Sequence, residues 1–392
     1  MNPTNSPVRS AVLAALICLL ASSFVNAQNA VRARDLGIPF DGNPGPLNAI
    51  TDIKGVEVGF TTLISGEGKL KVGEGPVRTG VTAILPRGRD SFNNPVFAGW
   101  YSLNGNGEMT GTTWVEESGF LEGPVMITNT HSVGVVRDAV IQWRVRHGAA
   151  DASGYWWSLP VVAETYDGYL NDINGFHVKP EDAFHALDTA ASGPVTEGNV
   201  GGGTGMICNG FKGGTGTASR VLDEKNGGYT VAALVQCNYG SQQQLRIAGI
   251  NVGRELPTGI PREKDVGSII VVLATDAPLL PHQLKRLARR VPLGLGRDGS
   301  ISGNGSGDIF IAFSTANSGA WDPKGVKQVA MVPNDRMDPL FLATVQCVEE
   351  AVVNAMIAAK TMVGVDNHKV IAIPHEQLQQ VLRKYNRLVK PQ

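Results

Sequence analysis

Ser268 is where this sequence first offers chemistry. It follows Gly267 at the head of DVGSIIVVLAT (265–275), where a charged, proline-containing loop, LPTGIPREKD (256–265), gives way to β-branched apolar residues. A serine hydroxyl is a poor nucleophile until a base takes its proton. If the Gly267–Ser268 bond is cut, Ser268 gains an α-amine with an ordinary pKa of about 7.7–8. That amine is substantially neutral near physiological pH and is tied covalently beside the hydroxyl it would deprotonate. The same hydroxyl can open the bond, attacking the Gly267 carbonyl to form an ester that water hydrolyses. Gly267 suits that step, because glycine reaches backbone conformations other residues resist. The plain alternative is a Gly-Ser turn leading into a strand, which is commonplace.

Other chemical patterns are incomplete. The stretch GGGTGMICNGFKGGTGTAS (201–219) lacks a phosphate-binding GxxxxGK[ST], since Lys212 is followed by Gly213, and it shows no GxGxxG set between strand and helix. RDGSISGNGSGD (297–308) has too few acidic residues for a calcium loop. Within it, Gly307 comes one residue too early for a G-x-S-x-G nucleophile elbow. The seven histidines and four cysteines form no HExxH, His-x-His or CxxC spacing, so neither a metal nor another cofactor is expected.

The elements that must position Ser268 are a mixture. The run 269–273 reads as a strand buried on both faces. Further strand patterns lie at 55–63, 80–88, 229–240 and 307–315, and helical spacing marks 133–147, 181–191, 281–291, 338–364 and 375–385. Helices are too few for regular βαβ alternation, so stacked sheets with helices outside are expected. No composition break marks a linker, and one domain is favoured. With 392 residues, 42% apolar and 18% charged, the chain has ample material for a core. A net charge of −1 without a basic stripe or acidic tail argues against nucleic acid and anionic membrane as partners.

The N-terminus reads as a secretory signal, 1–27. NSPVRS supplies a positive charge, AVLAALICLLASSF an apolar stretch, and VNA a small-residue cleavage site before Gln28. An uncleaved anchor is the alternative, but the stretch is short for a span, and no other segment looks long and apolar enough. The mature protein is expected to be secreted or periplasmic and free of the membrane. Cys208, Cys237 and Cys347 then remain. Two of them can pair in an exported protein, but buried free thiols are the expectation.

Several long segments, in order, closely resemble the DmpA family of L-aminopeptidase/D-esterase/amidases and β-peptidyl aminopeptidases. They are RARDLGIPFDGNPGPLNAITDIKGVEVG (32–59), PVVAETYDG (160–168), GNVGGGTGMICNGFKGGTGTASR (198–220), VQCNYG (235–240), GSIIVVLATDAPLLPHQLKRLARR (267–290) and SGDIFIAFST (306–315). The resemblance implies an α+β fold, a four-layer α/β/β/α sandwich layered like Ntn hydrolases but connected differently. It implies that the chain 28–392 cuts itself into 28–267 and 268–392, with Ser268 the nucleophile for both processing and catalysis. It also implies a metal-free homo-oligomer of αβ heterodimers, commonly four.

Further roles carry over by position. Ser306 and Asp308 match residues that organise the nucleophile's hydroxyl and amine. Asn238 matches an oxyanion-hole amide, and Tyr166 a phenol donating to the same oxyanion, with Tyr169 leaving the choice of tyrosine open. Glu164 matches the carboxylate that pairs with the substrate's ammonium group. Residues two apart on an extended segment share a face, as Ser306/Asp308 and Glu164/Tyr166 require. Cys237 stands where a small residue is common. The expected activity is release of N-terminal residues from short peptides, amides or esters with a free amine, including β-peptides. The alternatives are a D-amino acid esterase or amidase on the same site, or an unprocessed, non-catalytic binding protein.

Overall fold

The computed structural model describes residues 31–147, 157–257, 259–260 and 266–390, the side chain of Val266 excepted. The expected signal peptide and much of the charged loop before Ser268 lie outside the described residues. The first half of the chain contains β1 (Glu57–Ser65), β2 (Val77–Arg89), β3 (Val96–Gly105), α1 (Thr112–Ser118), β4 (Phe120–Leu121), β5 (Val125–Asn129), α2 (Val133–Arg146), β6 (Val161–Thr165) and α3 (Pro180–Asp188). The short strands β7 (Ile207–Cys208) and β8 (Phe211–Lys212) follow, then β9 (Gly214–Val221), β10 (Thr230–Asn238) and β11 (Val266–Thr275). The chain continues through α4 (Pro281–Ala288), α5 (Val291–Arg297), β12 (Gly305–Ser314), α6 (Asp338–Ile357), β13 (Met362–Val363), β14 (Lys369–Val370) and α7 (His375–Lys384).

The expected sandwich is present, and three cores define its layers. One sheet runs β1-β2-β5-β6 and the other β4-β3-β12-β11-β10-β9. Between them lie Ile84, Ile127, Leu234, Ile270, Val272 and Ile311, all essentially inaccessible. Helices α2 and α3 cover the outer face of the four-stranded sheet through Val136, Val140, Trp143, Phe184 and Leu187. Helices α4 to α6 cover the outer face of the six-stranded sheet, where Val271 and Phe310 meet Leu284, Leu287, Val348 and Val352. Burying each such branched or aromatic side chain contributes about 1.5–3 kcal/mol, which is why β-branched runs from both sheets sit centrally.

Four readings of the sequence need correction. The helix at 281–291 is two helices, α4 ending at Ala288 and α5 starting at Val291, with Pro292 in the first turn of the second. Helix α6 ends at Ile357 instead of 364. Beyond it the Asn199 carboxamide takes both backbone groups of Lys360, donating to its carbonyl at 2.8 Å and accepting from its N–H at 3.0 Å, so the chain there bonds sideways. Helix α6 is also long and apolar enough to cross a membrane, but 83% of that stretch is buried inside the protein, as befits a core helix. Lastly, Cys208 and Cys237 form a disulfide, and only Cys347 is a buried free thiol among the described residues. The two sulfurs come together because a close turn brings β7 against the end of β10, a contact that spacing alone does not reveal.

Candidate active site

A cleft of about 800 Å³ opens where the C-terminal ends of β3, β6 and β10 meet the N-terminal ends of β11 and β12. Ser268, Asn238, Tyr166 and Glu164 all line it. Parallel pairing of β11 with β12 brings two strand starts to one edge, and Asn238 ends the antiparallel neighbour β10 opposite Ser268.

Gly267 is where the backbone demands glycine. Its φ of +124° lies in the region side chains avoid, and a Cβ there would stand 1.9 Å from the Asn238 carbonyl oxygen. β10 and β11 therefore approach closely just before Ser268. Ser268 is 5% exposed, and its Oγ accepts from the Gly307 N–H at 3.2 Å.

Register sets Ser306, Gly307 and Asp308 beside Gly267, Ser268 and Ile269. Ile270 with Ile309 belongs to the core between the sheets, whereas Val271 with Phe310 faces the helices. Strand alternation carried back from these pairs puts the side chains of Ser268 and Asn238 on the inter-sheet face. Ser306 and Asp308 share a face, as expected, but it is the opposite one. Both are fully buried, and Ser306 Oγ donates to Asp308 Oδ1 at 2.5 Å. Asn104 secures this strand entry. Its Oδ1 accepts from the Asp308 N–H at 2.8 Å, and its Nδ2 donates to the Ser302 and Gly303 carbonyls at 3.1 and 3.2 Å.

The orientation of the Asn238 carboxamide follows from its partners. Oδ1 accepts from the Ile207 N–H at 2.8 Å, and Nδ2 donates to the Tyr166 carbonyl at 2.9 Å. A flipped amide would set donor against donor and acceptor against acceptor. One Nδ2 hydrogen remains for an oxyanion. The disulfide joins the residues next to both ends of this contact, Cys208 beside Ile207 and Cys237 beside Asn238. Tyr166 is half exposed to the cleft, and Gly168 makes room for its phenol, since a Cβ there would stand 2.3 Å from Tyr166 Oη. Tyr169, the alternative tyrosine, also lines the cleft but is stacked on His368 with ring centroids 4.4 Å apart.

Glu164 is almost wholly buried. Its Oε1 accepts from the Glu108 N–H at 3.0 Å, and its Oε2 from Thr130 Oγ1 at 2.5 Å. Burial pushes this carboxyl above the ordinary glutamate value, while the Thr130 and Glu108 hydrogen bonds pull it back and the Glu108 charge adds to the rise. Such a carboxylate gains by receiving a cation. Gly107 lets the loop after β3 reach it, because a Cβ there would lie 3.2 Å from both Glu164 Oε1 and Gly307 Cα.

All the expected site residues thus gather at one edge of the sandwich, with Ser306 and Asp308 on the face opposite the Ser268 side chain. Sequence reasoning missed Thr130, Glu108, Asn104 and His368. Thr130 and Glu108 follow strand ends that converge on Glu164, and His368 arrives from the far end of the chain. The glycines of Gly105-Asn106-Gly107 were the one available sign that a loop closes onto something there.

Comparisons with known proteins agree with this fold. The profile of peptidase family S58 matches residues 48–370. The chain is 58% identical over 376 residues to beta-peptidyl aminopeptidase BapA of Sphingosinicella microcystinivorans, covering 91% of this chain and 93% of that protein. It is 46% identical over 393 residues to the protein of the same name from Sphingosinicella xenopeptidilytica, covering 95% and 96%. Among solved structures, the L-aminopeptidase D-Ala-esterase/amidase of Ochrobactrum anthropi, described as a variant among Ntn hydrolase folds, superposes with a TM-score of 0.84 at 54% identity, covering 91% of this chain and 99% of that one. A Burkholderia sp. beta-aminopeptidase gives 0.83 at 48% identity, covering 90% and 99%. With the family matched across most of its length, the chain belongs to peptidase family S58 and is an aminopeptidase.

Proposed function

We propose that the protein is an exported, self-processing serine aminopeptidase that releases N-terminal residues, β-amino acids among them, through an acyl-enzyme on Ser268. The observation that carries this reading is the convergence of Ser268, Asn238 and Glu164 on one cleft. In processing, Ser268 Oγ attacks the Gly267 carbonyl, and the peptide nitrogen leaves as the Ser268 α-amine. Water then hydrolyses the ester, giving a Gly267 carboxylate and freeing the hydroxyl. The products are the chains 28–267 and 268–392, paired as an αβ heterodimer that assembles further, commonly into four.

In turnover, Glu164 holds the substrate ammonium and the Ser268 α-amine takes the Oγ proton. The tetrahedral oxyanion is met by Asn238 Nδ2 and the Tyr166 phenol, and a donor so placed stabilises the transition state by about 3–4 kcal/mol. The proton passes to the leaving amine, and water attacks the ester in the second half. Ser306 and Asp308, on the far face of β12, serve the α-amine at the strand's edge instead of the hydroxyl.

The preference for β-amino acids rests on the two relatives named beta-peptidyl aminopeptidases. The D-amidase alternative rests on the solved relative at 54% identity. A panel of β-alanyl, L-alanyl and D-alanyl amides, each with free and acetylated amines, tests both. Fastest release from β-alanyl amide with no release from the acetylated set is the expected result. Equal rates on blocked and free amines would overturn the role of Glu164.

A further inference from the structure

The glycine-rich stretch that sequence reading left without a role contains a small device. β7 and β8 form a hairpin with register Ile207 to Lys212 and Cys208 to Phe211. The turn residues Asn209 and Gly210 have φ of +49° and +77°, the combination a two-residue hairpin turn favours. Gly213 then allows a tight approach to β10, since a Cβ there would stand 2.4 Å from the Cys237 carbonyl oxygen.

Lys212 is wholly buried in this hairpin. Its Nζ donates to the Met206 carbonyl at 2.8 Å and the Gly213 carbonyl at 2.9 Å. The Met206 carbonyl belongs to the same peptide group as the Ile207 N–H, which donates to Asn238 Oδ1 at 2.8 Å. One rigid peptide plane therefore connects a lysine amine to the carboxamide that faces Ser268.

Burying an ammonium is costly unless it is paired, and an apolar side chain of similar length would fill the same space. Burial pushes the Lys212 amine down to about 7, and the charge of Asp167 opposes that fall. Asp167 is itself buried and pushed up to about 7. Donation from a charged amine polarises the peptide and strengthens the N–H donor on its other side.

We propose that Lys212 is a positioning residue for the oxyanion-binding carboxamide: by fixing the Met206–Ile207 peptide plane it holds Asn238 with Nδ2 turned to the cleft. This rests on the reading of Asn238 given above. Lys212 does not touch substrate, and it acts through Ile207 and Asn238 alone.

A double-mutant cycle tests it, with kcat and KM measured per processed chain on β-alanyl amide. Lys212→Met is expected to lower kcat roughly 10- to 100-fold, within the loss typical of an oxyanion donor, with KM changed less than about twofold. In an Asn238→Ala background the same substitution is expected to change kcat by less than about twofold, because the group it positions is gone. An equal loss in both backgrounds, or an unchanged kcat in Lys212→Met alone, overturns the inference. A wild-type kcat in Asn238→Ala alone instead sinks the oxyanion reading on which it rests. If Lys212→Met does not fold, Lys212→Gln, which keeps a donor for the Met206 carbonyl, goes through the same cycle. Retention of most of the wild-type kcat supports the inference. A loss that persists in the Asn238→Ala background overturns it.

Discussion

Asn238 and Ser268 are register partners across the antiparallel pair β10 and β11. Partners in such a ladder carry their side chains on one face with Cβ atoms about 4.5–5.5 Å apart. The last residue of one strand is thus an amide donor, and its partner near the start of the next is the proposed nucleophile. Both side chains emerge at the strand ends of a buried sheet. An oxyanion formed on a carbonyl attacked by Ser268 meets a donor that is already oriented by Ile207 and Tyr166.

From this pairing, Asn238→Ala is expected to lower kcat by about 10²–10³-fold while leaving KM nearly unchanged, the signature of a contact made in the transition state. Steady-state kinetics on the processed variant check it. A loss confined to KM would assign Asn238 to substrate binding instead.

Gly267→Ala forces a Cβ against the Asn238 carbonyl at a positive φ. Strain of that kind costs about 1–3 kcal/mol, and relieving it shifts the Gly267 carbonyl away from its place beside the Ser268 hydroxyl. Self-cleavage is expected to slow markedly, read as full-length chain persisting on denaturing gels over hours. Cleavage at the wild-type rate would show that the close approach of β10 has no part in processing.

How far could these relationships be read without the structure? The buried strand 269–273 and the special place of Gly267-Ser268 were visible, because β-branched periodicity and a Gly-Ser entry are local signals. The sandwich followed from few helices among many strands. Two-residue spacing correctly gave Ser306 and Asp308 a common face, but spacing cannot say which face, and alternation from Ile309 and Phe310 turns them away from the Ser268 side chain. Asn238, Tyr166 and Glu164 had no local signal of their own and were identified only through resemblance. Thr130, Glu108 and Asn104 act through contacts between segments far apart in the chain, and the Cys208–Cys237 bond likewise depends on a hairpin meeting a strand end.

Glu164 makes the pH profile diagnostic. Its carboxyl is raised above the ordinary value of 4.5, chiefly by burial, so its ionised form is lost as pH falls through that raised value. Beside the limb set by protonation of the Ser268 α-amine, kcat/KM is expected to show a second acidic limb above pH 4.5 as the Glu164 carboxylate is lost. Glu164→Gln removes that limb and lowers kcat/KM at neutral pH by about tenfold to a hundredfold, the worth of a hydrogen bond to a charged group. An unchanged second limb in the variant would place the titrating group elsewhere.

Glu350 holds the N-terminal segment and β9 onto α6. Its Oε1 accepts from Arg34 Nε at 2.8 Å and its Oε2 from Arg220 Nη2 at 2.6 Å, with Arg220 and Glu350 essentially inaccessible. Burial alone would raise this carboxyl, but Arg34 and Arg220 outweigh it and hold it below 4.5. A depressed value means stabilisation present above the unfolded value and lost as pH falls through the folded one. Glu350→Gln is expected to cost about 3–5 kcal/mol near neutrality by leaving buried arginine charge unpaired. The variant also loses part of the wild type's further destabilisation below pH 4.5. Denaturant melts at neutral and acid pH measure both, and equal stability of the two proteins at neutral pH would contradict the assignment.

The central claim is that Ser268 opens its own peptide bond. Intact mass of the purified protein beside its Ser268→Ala variant tests it most directly. The account predicts two chains that divide between Gly267 and Ser268 in the wild type, and one uncut chain in the variant. A folded wild-type chain that stays whole would leave no α-amine to act as base, and would contradict it.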